Sequence, residues 1–566
     1  MNKNPLYIRP ACFEILEDRI APATIIVTNL NDSGDGSLRE AVNQANMGAE
    51  ADTIKFSKGL SGTISLMSEI SISDSVTIVG PGSEKVSISG NNANRIFNID
   101  DGTAETDTVS ISGLRFVNGS SSGGGAIYSH ETVVLDKTSF LFNKSSGFGG
   151  AILTSTIGDL IIKNSVFKAN SAVDFGGAIA AGTAGGSIEI VSSSITGNKV
   201  ASGSGGGIFV YANATPGTTF TINKSTIADN SADANGGGIR ASLLGDGTMT
   251  ILGSKITGNS ASKGGGLYFD EGKLYVEKST FSYNTALNNG GAIALNNPTS
   301  ASISGSTISL NSADGNGGGL YLESLSGGAT ITSSKILSNS AGNSGGGIFS
   351  KGVEMTVAGS TLSGNSAAND GGAIRAEESG SLFLSKTKIL NNSAANAGGG
   401  VSTSGAAAMA VYLGSSLSVF QGNKASSGGG IDATGDGAIV VYKSKFNKNT
   451  TSSDDGGAMY LRTNSTIEII ASMFSGNSAA DDGGAVALGS MGTFSITKSK
   501  FQKNTAGDTG GGIALFNGAT TIDSSTIAAN SAVNKGGGIA SYATVSTVNS
   551  KISGNTAPTD PDIYQQ

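Results

Sequence analysis

The chain contains one cysteine, one histidine and no tryptophan among 566 residues. A single thiol, Cys12, excludes an internal disulfide framework and a multi-cysteine zinc site, so whatever holds the fold together is non-covalent. Charged residues make up 14% of the chain, against roughly 25% in average soluble domains, and the net charge is −8. Charge this sparse predicts no basic stripe for neutralising phosphates and hence no nucleic-acid partner, and its sign disfavours anionic membranes. No run of 18 apolar residues occurs, so no transmembrane helix is expected. Residues 1–23 also lack the continuous apolar stretch of an ordinary secretion signal.

Glycine is the residue in excess, at 86 positions, about twice its usual share. Abundant Gly, Ser, Asn and Thr with little charge would read as disorder if the apolar residues were scattered. They are ordered instead: Ser187-Ile188-Glu189-Ile190-Val191 and Thr218-Thr219-Phe220-Thr221-Ile222 alternate with the period of a strand. From about residue 114 one unit keeps returning: an apolar residue, two spacers, Asn, a short polar turn, then Gly-Gly-Gly/Ala and an aliphatic residue. Phe167-Lys168-Ala169-Asn170 precedes Gly176-Gly177-Ala178-Ile179, and Phe501-Gln502-Lys503-Asn504 precedes Gly510-Gly511-Gly512-Ile513. The Asn falls at 143, 170, 198, 230, 259, 284, 311, 339, 365, 392, 423, 449, 477, 504, 530 and 555, with a looser first copy at Asn118 and gaps of 25 to 32.

Each period holds three apolar patches and three interruptions, for example Ile239, then Met249 and Ile251, then Ile256. Three strands and three turns make one triangular coil. Coils stacked about 4.8 Å apart give an all-β fold, a single-stranded right-handed parallel β-helix of about 19 coils and roughly 90 Å. Helical repeats are excluded, because no 3.6-residue periodicity survives the glycines and β-branched residues inside each unit. Gly264-Gly265-Gly266 and their equivalents are expected at a corner, where positive φ or close backbone approach bars a side chain. The recurring Asn is expected to stack internally as a hydrogen-bonded ladder, a structural role.

The chain divides into a targeting or sorting-like motif over 1–24, an N-terminal cap with the first coils over 25–105, the repeat β-helix over 106–557 and a tail over 558–566. Ser37-Leu38-Arg39-Glu40 reads as a capping box opening a short helix through Ala41, Val42 and Ala45, placed to cover the first coil's open edge. Pro558 and Pro561 are expected to stop strand addition at the other end. No set of alternating strands for a membrane barrel follows.

The polar turn before the Gly-Gly motif carries Asp370, Asp454-Asp455 and Asp481-Asp482. Asp is a common turn former, so these are expected to be solvated, with weak calcium binding only where neighbouring coils bring them together. His130 stands in Tyr128-Ser129-His130-Glu131, where an adjacent serine is not an opposed nucleophile, so no catalytic triad is read there. Arg240 and Arg375 follow equivalent Ile positions and read as surface residues of one face. Tyr128, Tyr211, Tyr268 and Tyr321 sit just after the Gly motif; uneven gaps favour core filling or scattered surface sites over an aligned stripe. Gly205 to Gly207 lacks the strand-to-helix context and the Lys-Ser/Thr ending of a phosphate loop. No residue is assigned a catalytic, cofactor-binding or metal-ligating role, and no cofactor is expected.

The repeat Phe/Ile-x-x-Asn followed by Gly-Gly-Ala/Gly-Ile resembles the polymorphic outer membrane protein repeat of chlamydial autotransporters and related bacterial surface proteins. Gly36-Ser37-Leu38-Arg39-Glu40-Ala41-Val42-Asn43-Gln44-Ala45-Asn46 is similar to the CSLREA-type segment that precedes such β-helices, with Gly36 in place of its Cys. Phe13-Glu14-Ile15-Leu16-Glu17-Asp18-Arg19-Ile20-Ala21-Pro22-Ala23 resembles the Leu-Glu-Asp/Pro-Arg motif of large planctomycete and verrucomicrobial surface proteins. These resemblances imply a pectin-lyase-like solenoid at the cell surface, outer membrane or beyond, acting as a non-enzymatic structural or adhesin-like protein. Its implied partners are an extracellular glycan, a surface protein of a host or neighbouring cell, or an envelope component. The alternative is a polysaccharide lyase or glycoside hydrolase on the same scaffold, which needs carboxylates or carboxylate-bound calcium beside a basic residue in an open groove. Repeat gaps of 25 to 32 residues leave little chain for the walls of such a groove.

Overall fold

The computed structural model describes residues 22–48, 51–103, 106–156, 158–183, 186–212, 217–378, 380–405, 411–414, 417–463, 466–489 and 492–566. It is a right-handed parallel β-solenoid of about 19 turns, as the repeat predicts, with one short helix among the described residues. One coil runs through Ile239–Leu243 on face 1, Thr248–Leu252 on face 2 and Lys255–Thr257 on face 3. A two-residue bridge, Ser260–Ala261, then leads back to Leu267–Asp270 on face 1 of the next coil. The pairings among the described residues are parallel, and register is kept on the three faces, as in Ile239↔Leu267, Met249↔Leu274 and Ile256↔Phe281, with a shift in the bridge between Ser121 and Gly123. The short bridge is a fourth strand that the three-patch reading does not anticipate. At two residues it is too short to show an alternation.

On the three faces most inward residues are aliphatic, Met or Phe and join one continuous core, with small polar residues such as Ser350 and Thr403 at some inward places; Ala172, Val200, Ala232 and Ala261 form a second, smaller cluster. Inward Phe residues stack on their equivalents: Phe116, Phe140 and Phe167 at 4.6 Å, and Phe420, Phe446, Phe474 and Phe501 at 4.6–4.8 Å between centroids. That spacing is the rung spacing itself, so identical residues on successive coils meet in offset stacks.

The Asn ladder is present. From Asn143 to Asn555 each amide is buried, and Nδ2 donates to Oδ1 of the next Asn at 2.9–3.0 Å. A second Nδ2 bond reaches back to a carbonyl, as from Asn259 to Ile227 at 3.0 Å, so both amide hydrogens are used. Asn118 does not join: it takes φ 51°, and the backbone N–H of Gly119 donates to Asn143 in its place. At the far end Asn555 donates to the carboxylate of Asp562 at 2.9 Å, which closes the column on an acceptor.

A second ladder, of Ser and Thr, lies at the corner between faces 2 and 3. Ser225, Ser254 and Ser279 each donate a backbone N–H to the Oγ of the next Ser, at 3.1 Å. Its signal in the sequence is the Ser two places before each face 3 apolar residue, as in Ser254-Lys255-Ile256. The corners depend on left-handed backbone. Gly264 opens the Gly triplet at φ +62°, and a Cβ on Gly238 would lie 2.6 Å from the carbonyl of Gly266. Before the ladder Asn the same conformation is imposed on larger residues, Tyr283 at 55° and Leu310 at 57°.

Helix α1, Leu38–Ala45, caps the first coil with Leu38, Ala41, Val42 and Ala45 buried against it. Ser37 accepts the Glu40 N–H, which is half of a capping box; the Glu40 carboxylate accepts from Gln44 instead of turning back. Arg39 clamps the helix to the coil through Asp32 at 2.7 Å and the carbonyls of Ser68 and Glu69 at 2.8 Å. The C-terminal segment is not a free tail: Ile563–Gln565 adds one further strand beside Ile539–Ser541. The stretch over residues 13–21 lies outside the described residues, and the first strand begins at Thr24.

Candidate binding faces

The outward residues of face 1 form two straight columns, because differences in repeat length are absorbed in the loops, leaving strand register intact. The column one residue after the inward Ile runs Phe209, Arg240, Tyr268, Ala294, Tyr321, Phe349 and Arg375. Two residues further along, the neighbouring column runs Tyr211, Ser242, Asp270, Asn296, Glu323, Lys351 and Glu377. Tyr128, Tyr268 and Tyr321 therefore share an aligned outward column, and Tyr211 stands in the one beside it. This corrects the expectation of core or scattered positions.

The cations of this face are held by acids. Arg240 meets both oxygens of Asp270 at 2.6 and 3.0 Å and lies 5.0 Å over the Tyr268 ring. Arg375 has only 11% of its side chain exposed and binds Glu377 at 3.0 Å, Asp370 at 3.4 Å, and Ser402 and Ser404 at 2.6 Å. Lys351 sits between Glu323 at 3.7 Å and Glu378 at 3.4 Å. Arg462 pairs with the buried Asp432 at 2.8 Å and stacks 4.3 Å over Tyr460. Tyr321 donates to Glu323 at 2.9 Å, and burial together with that carboxylate pushes its hydroxyl well above the usual tyrosine range.

Nearer the N-terminus the face is apolar. Phe148, Phe175 and Phe209 stack at 5.4 and 4.5 Å and, with Leu153, Ala180 and Tyr211, line a shallow groove of about 270 Å³. At its end Ser155 lies 3.2 Å from the Tyr128 hydroxyl and 3.4 Å from Nε2 of His130, which also meets Tyr128. The serine opposed to His130 is thus Ser155 from the next coil, invisible to sequence adjacency. Ser129 is buried and bonds the backbone of Glu131. A tyrosine, a histidine and a serine sharing hydrogen bonds at the mouth of an apolar groove make an amphipathic surface.

The acidic turn residues are not all solvated. Asp455 is 6% exposed and accepts the Asp482 N–H at 2.9 Å; Asp482 accepts the Thr509 N–H at 2.7 Å. They belong to a third inter-coil ladder, in which the side chain before the first Gly receives the next coil's backbone, as Asp370 does from Ala397 at 3.1 Å. Carboxylate oxygens of Asp455, Asp481 and Asp482 come within 4.8 Å of one another, as do those of Asp100, Asp101 and Glu131. Burial, offset in part by the Asp482 N–H, pushes the Asp455 carboxyl up to about 6. Gly205, Gly206 and Gly207 spend their N–H groups on carbonyls of the next coil, which leaves none for a phosphate. Ser402, on the strand Val401–Ser404, belongs to the Arg375 network, and residues 406–410 lie outside the described residues.

The expectation of no basic stripe fails on face 3. Its charge is thin in the sequence, but stacking places residues about 27 positions apart side by side, and lysines gather there.

Comparisons with known proteins agree with the fold. A family described as the right-handed beta helix region matches residues 184–349, and the Chlamydia polymorphic membrane protein repeat matches residues 359–377. Neither reaches residues 13–46, where the likenesses rest on the motifs alone. No curated protein matches the sequence. Among solved structures, the PL6 family alginate lyase AlyGC is similar at 11% identity over 94% of this chain and 100% of that one, with a TM-score of 0.24. The chain is thus similar to right-handed β-helix proteins, and over part of one coil to the repeat of Chlamydia membrane proteins.

Proposed function

We propose that this protein is a non-enzymatic rod, displayed at the cell surface or secreted, that binds other molecules through its outer faces. The observation that carries the reading is the contrast between an interior repeated coil after coil and a face 1 whose outward residues change at almost every coil. Repetition serves stacking; residues that stacking leaves free are available for recognition. Against catalysis on face 1 stands the pairing of Arg240, Arg375, Arg462 and Lys351 with carboxylates, since an acidic-polysaccharide lyase needs a cation free to neutralise the substrate's carboxylate. Surface display is supported by the Chlamydia membrane protein repeat at residues 359–377. The groove lined by Phe148, Phe175, Phe209 and Tyr211, with Tyr128, His130 and Ser155 at its end, suits an extracellular glycan, whose rings carry apolar faces and hydroxyl edges. Fractionating producing cells should recover the protein from envelope or medium. Purely cytoplasmic protein would overturn the surface role, and turnover of a polysaccharide panel by purified protein would overturn the non-enzymatic one.

A further inference from the structure

Face 3 is built from six-residue segments, each comprising a corner residue, the ladder Ser or Thr, the three-residue strand and the left-handed residue before the ladder Asn. From 113–118 to 549–554 these segments hold sixteen Lys and Arg and a single acid, Asp229, in a chain where acids outnumber cations 43 to 35. The segregation sharpens toward the C-terminus. Between residues 333 and 554 the same segments hold ten lysines and no Asp or Glu. None of those ten lysines forms an ion pair among the described residues.

Their placement is periodic. Lys335, Lys388, Lys445, Lys500 and Lys551 occupy one outward column, separated by Thr361, Val419, Met473 and Thr526. A lysine thus recurs on every second coil, about 10 Å apart at the ordinary rung spacing. The same coils carry Lys386, Lys443 and Lys498 at the preceding corner, and two of them carry Lys448 and Lys503 at the following one. The intervening coils present neutral hydrogen-bonding groups, including Ser363, Gln421 and Ser475.

Solubility alone does not account for this arrangement, because alternating acids would serve as well and would remove the repulsion, as they do on face 1. Unpaired cations at this spacing, close to the Debye length at physiological salt, sum into one extended positive field. We infer that face 3 between Lys335 and Lys551 binds a linear anionic polysaccharide, with carboxylate or sulfate groups on the lysine coils and neutral hydroxyls over the coils between. Nucleic acid fits less well: the ten cations are all lysine, without arginine forks, and the aromatic ring beside them, Tyr442, is half-buried and covered by Lys443 at 4.9 Å, which makes no series of platforms for bases to stack on. An anionic membrane would in addition need a set of apolar side chains to insert.

The inference rests on the binding role proposed above but not on location, so cytoplasmic protein would leave it intact, and its failure would leave surface display intact. The test uses the full chain on immobilised heparin, alginate and dextran, with duplex DNA and phosphatidylserine vesicles as competitors. Retention on heparin or alginate but not dextran is expected, falling steeply with salt; which of the two holds better separates sulfate from carboxylate recognition. Replacing Lys443, Lys445, Lys498 and Lys500 by Ser, Thr, Ser and Thr puts at each place the residue that coil 524–529 carries, and should weaken retention by about tenfold or more. Should that variant misfold, protection from acetylation in wild type decides: bound polysaccharide should shield Lys445 and Lys500 but not Lys273 or Lys351. Absence of retention, unchanged retention by a folded variant, shielding that ignores face 3, or stronger displacement by DNA or vesicles than by free polysaccharide would each overturn it.

Discussion

Face 1 and face 3 are made by the same repeat, in the same register, over the same core, yet they treat charge in opposite ways. On face 1 Arg240, Lys351, Arg375 and Arg462 are each locked to a carboxylate, whereas the face 3 lysines from Lys335 to Lys551 have none. Opposite charges on adjacent rungs stabilise a sheet and like charges weaken it. Face 1 therefore uses charge as structure, and face 3 leaves it unpaired. The difference also locates stability, which comes from the stacked interior shared by both.

The first expected effect is equal on the two sides. Phe269→Ala beneath face 1 and Phe474→Ala beneath face 3 each empty a fully buried ring position and should cost about 3–5 kcal/mol. Urea unfolding followed with hydrogen exchange should show the loss concentrated in neighbouring coils, as in a quasi-one-dimensional stack. A large inequality between the two would mean that the faces do not share one core.

At the surface the two sides should part. Arg375→Ala strips Glu377, Asp370, Ser402 and Ser404 of a common partner, and charge-assisted bonds of this kind make a cost of about 2 kcal/mol the expectation. Lys500→Thr on face 3 should stay within about 0.5 kcal/mol of wild type, since Lys500 forms no ion pair among the described residues. Chemical denaturation of both variants checks this directly, and a comparable cost for the lysine would erase the distinction drawn between the faces.

A pH-dependent effect concerns the acidic turn leading into face 1. With its carboxyl raised from 3.8 to about 6, folded Asp455 binds a proton more readily than the unfolded chain does. Stability should therefore fall as pH rises from about 4 to about 6 and then level off. Asp455→Asn keeps an acceptor for the Asp482 N–H, so it should flatten that slope and raise the thermal midpoint at neutral pH. An unchanged slope in the variant would assign the pH dependence elsewhere.

The smallest change is expected at the rim of face 3. Leu310 is 46% exposed and held at φ 57°, a conformation that costs a side chain about 1–2 kcal/mol. Leu310→Gly relieves that strain while loosening the unfolded chain, for a net gain below about 1 kcal/mol by thermal unfolding.

The fold was legible because its determinants repeat. Sixteen Asn positions, the Gly triplets and three apolar patches announce coil period, corner and core, and the structure returns all three. The two-residue bridge was hidden by its brevity, and the ladder Ser, although it recurs with the coil, does so among many other serines of the turns and strands. Asn118 looks like a repeat copy, but its neighbour's backbone fills the rung. The outer faces were harder to read, since their meaning depends on which residues stacking brings together. Tyr128, Tyr268 and Tyr321 look unaligned until loop insertions are discounted. His130 has no opposed serine until Ser155 arrives from the next coil. The lysines of face 3 lie far apart in a chain of net charge −8 and become a stripe only when folded.

The most direct test of a rod that binds without catalysing is to follow one panel of acidic and neutral polysaccharides for co-sedimentation with the purified protein and for new chain ends. Salt-sensitive co-sedimentation of the acidic polymers with their chain length unchanged is the expected result; shortened chains or newly formed unsaturated ends would contradict it.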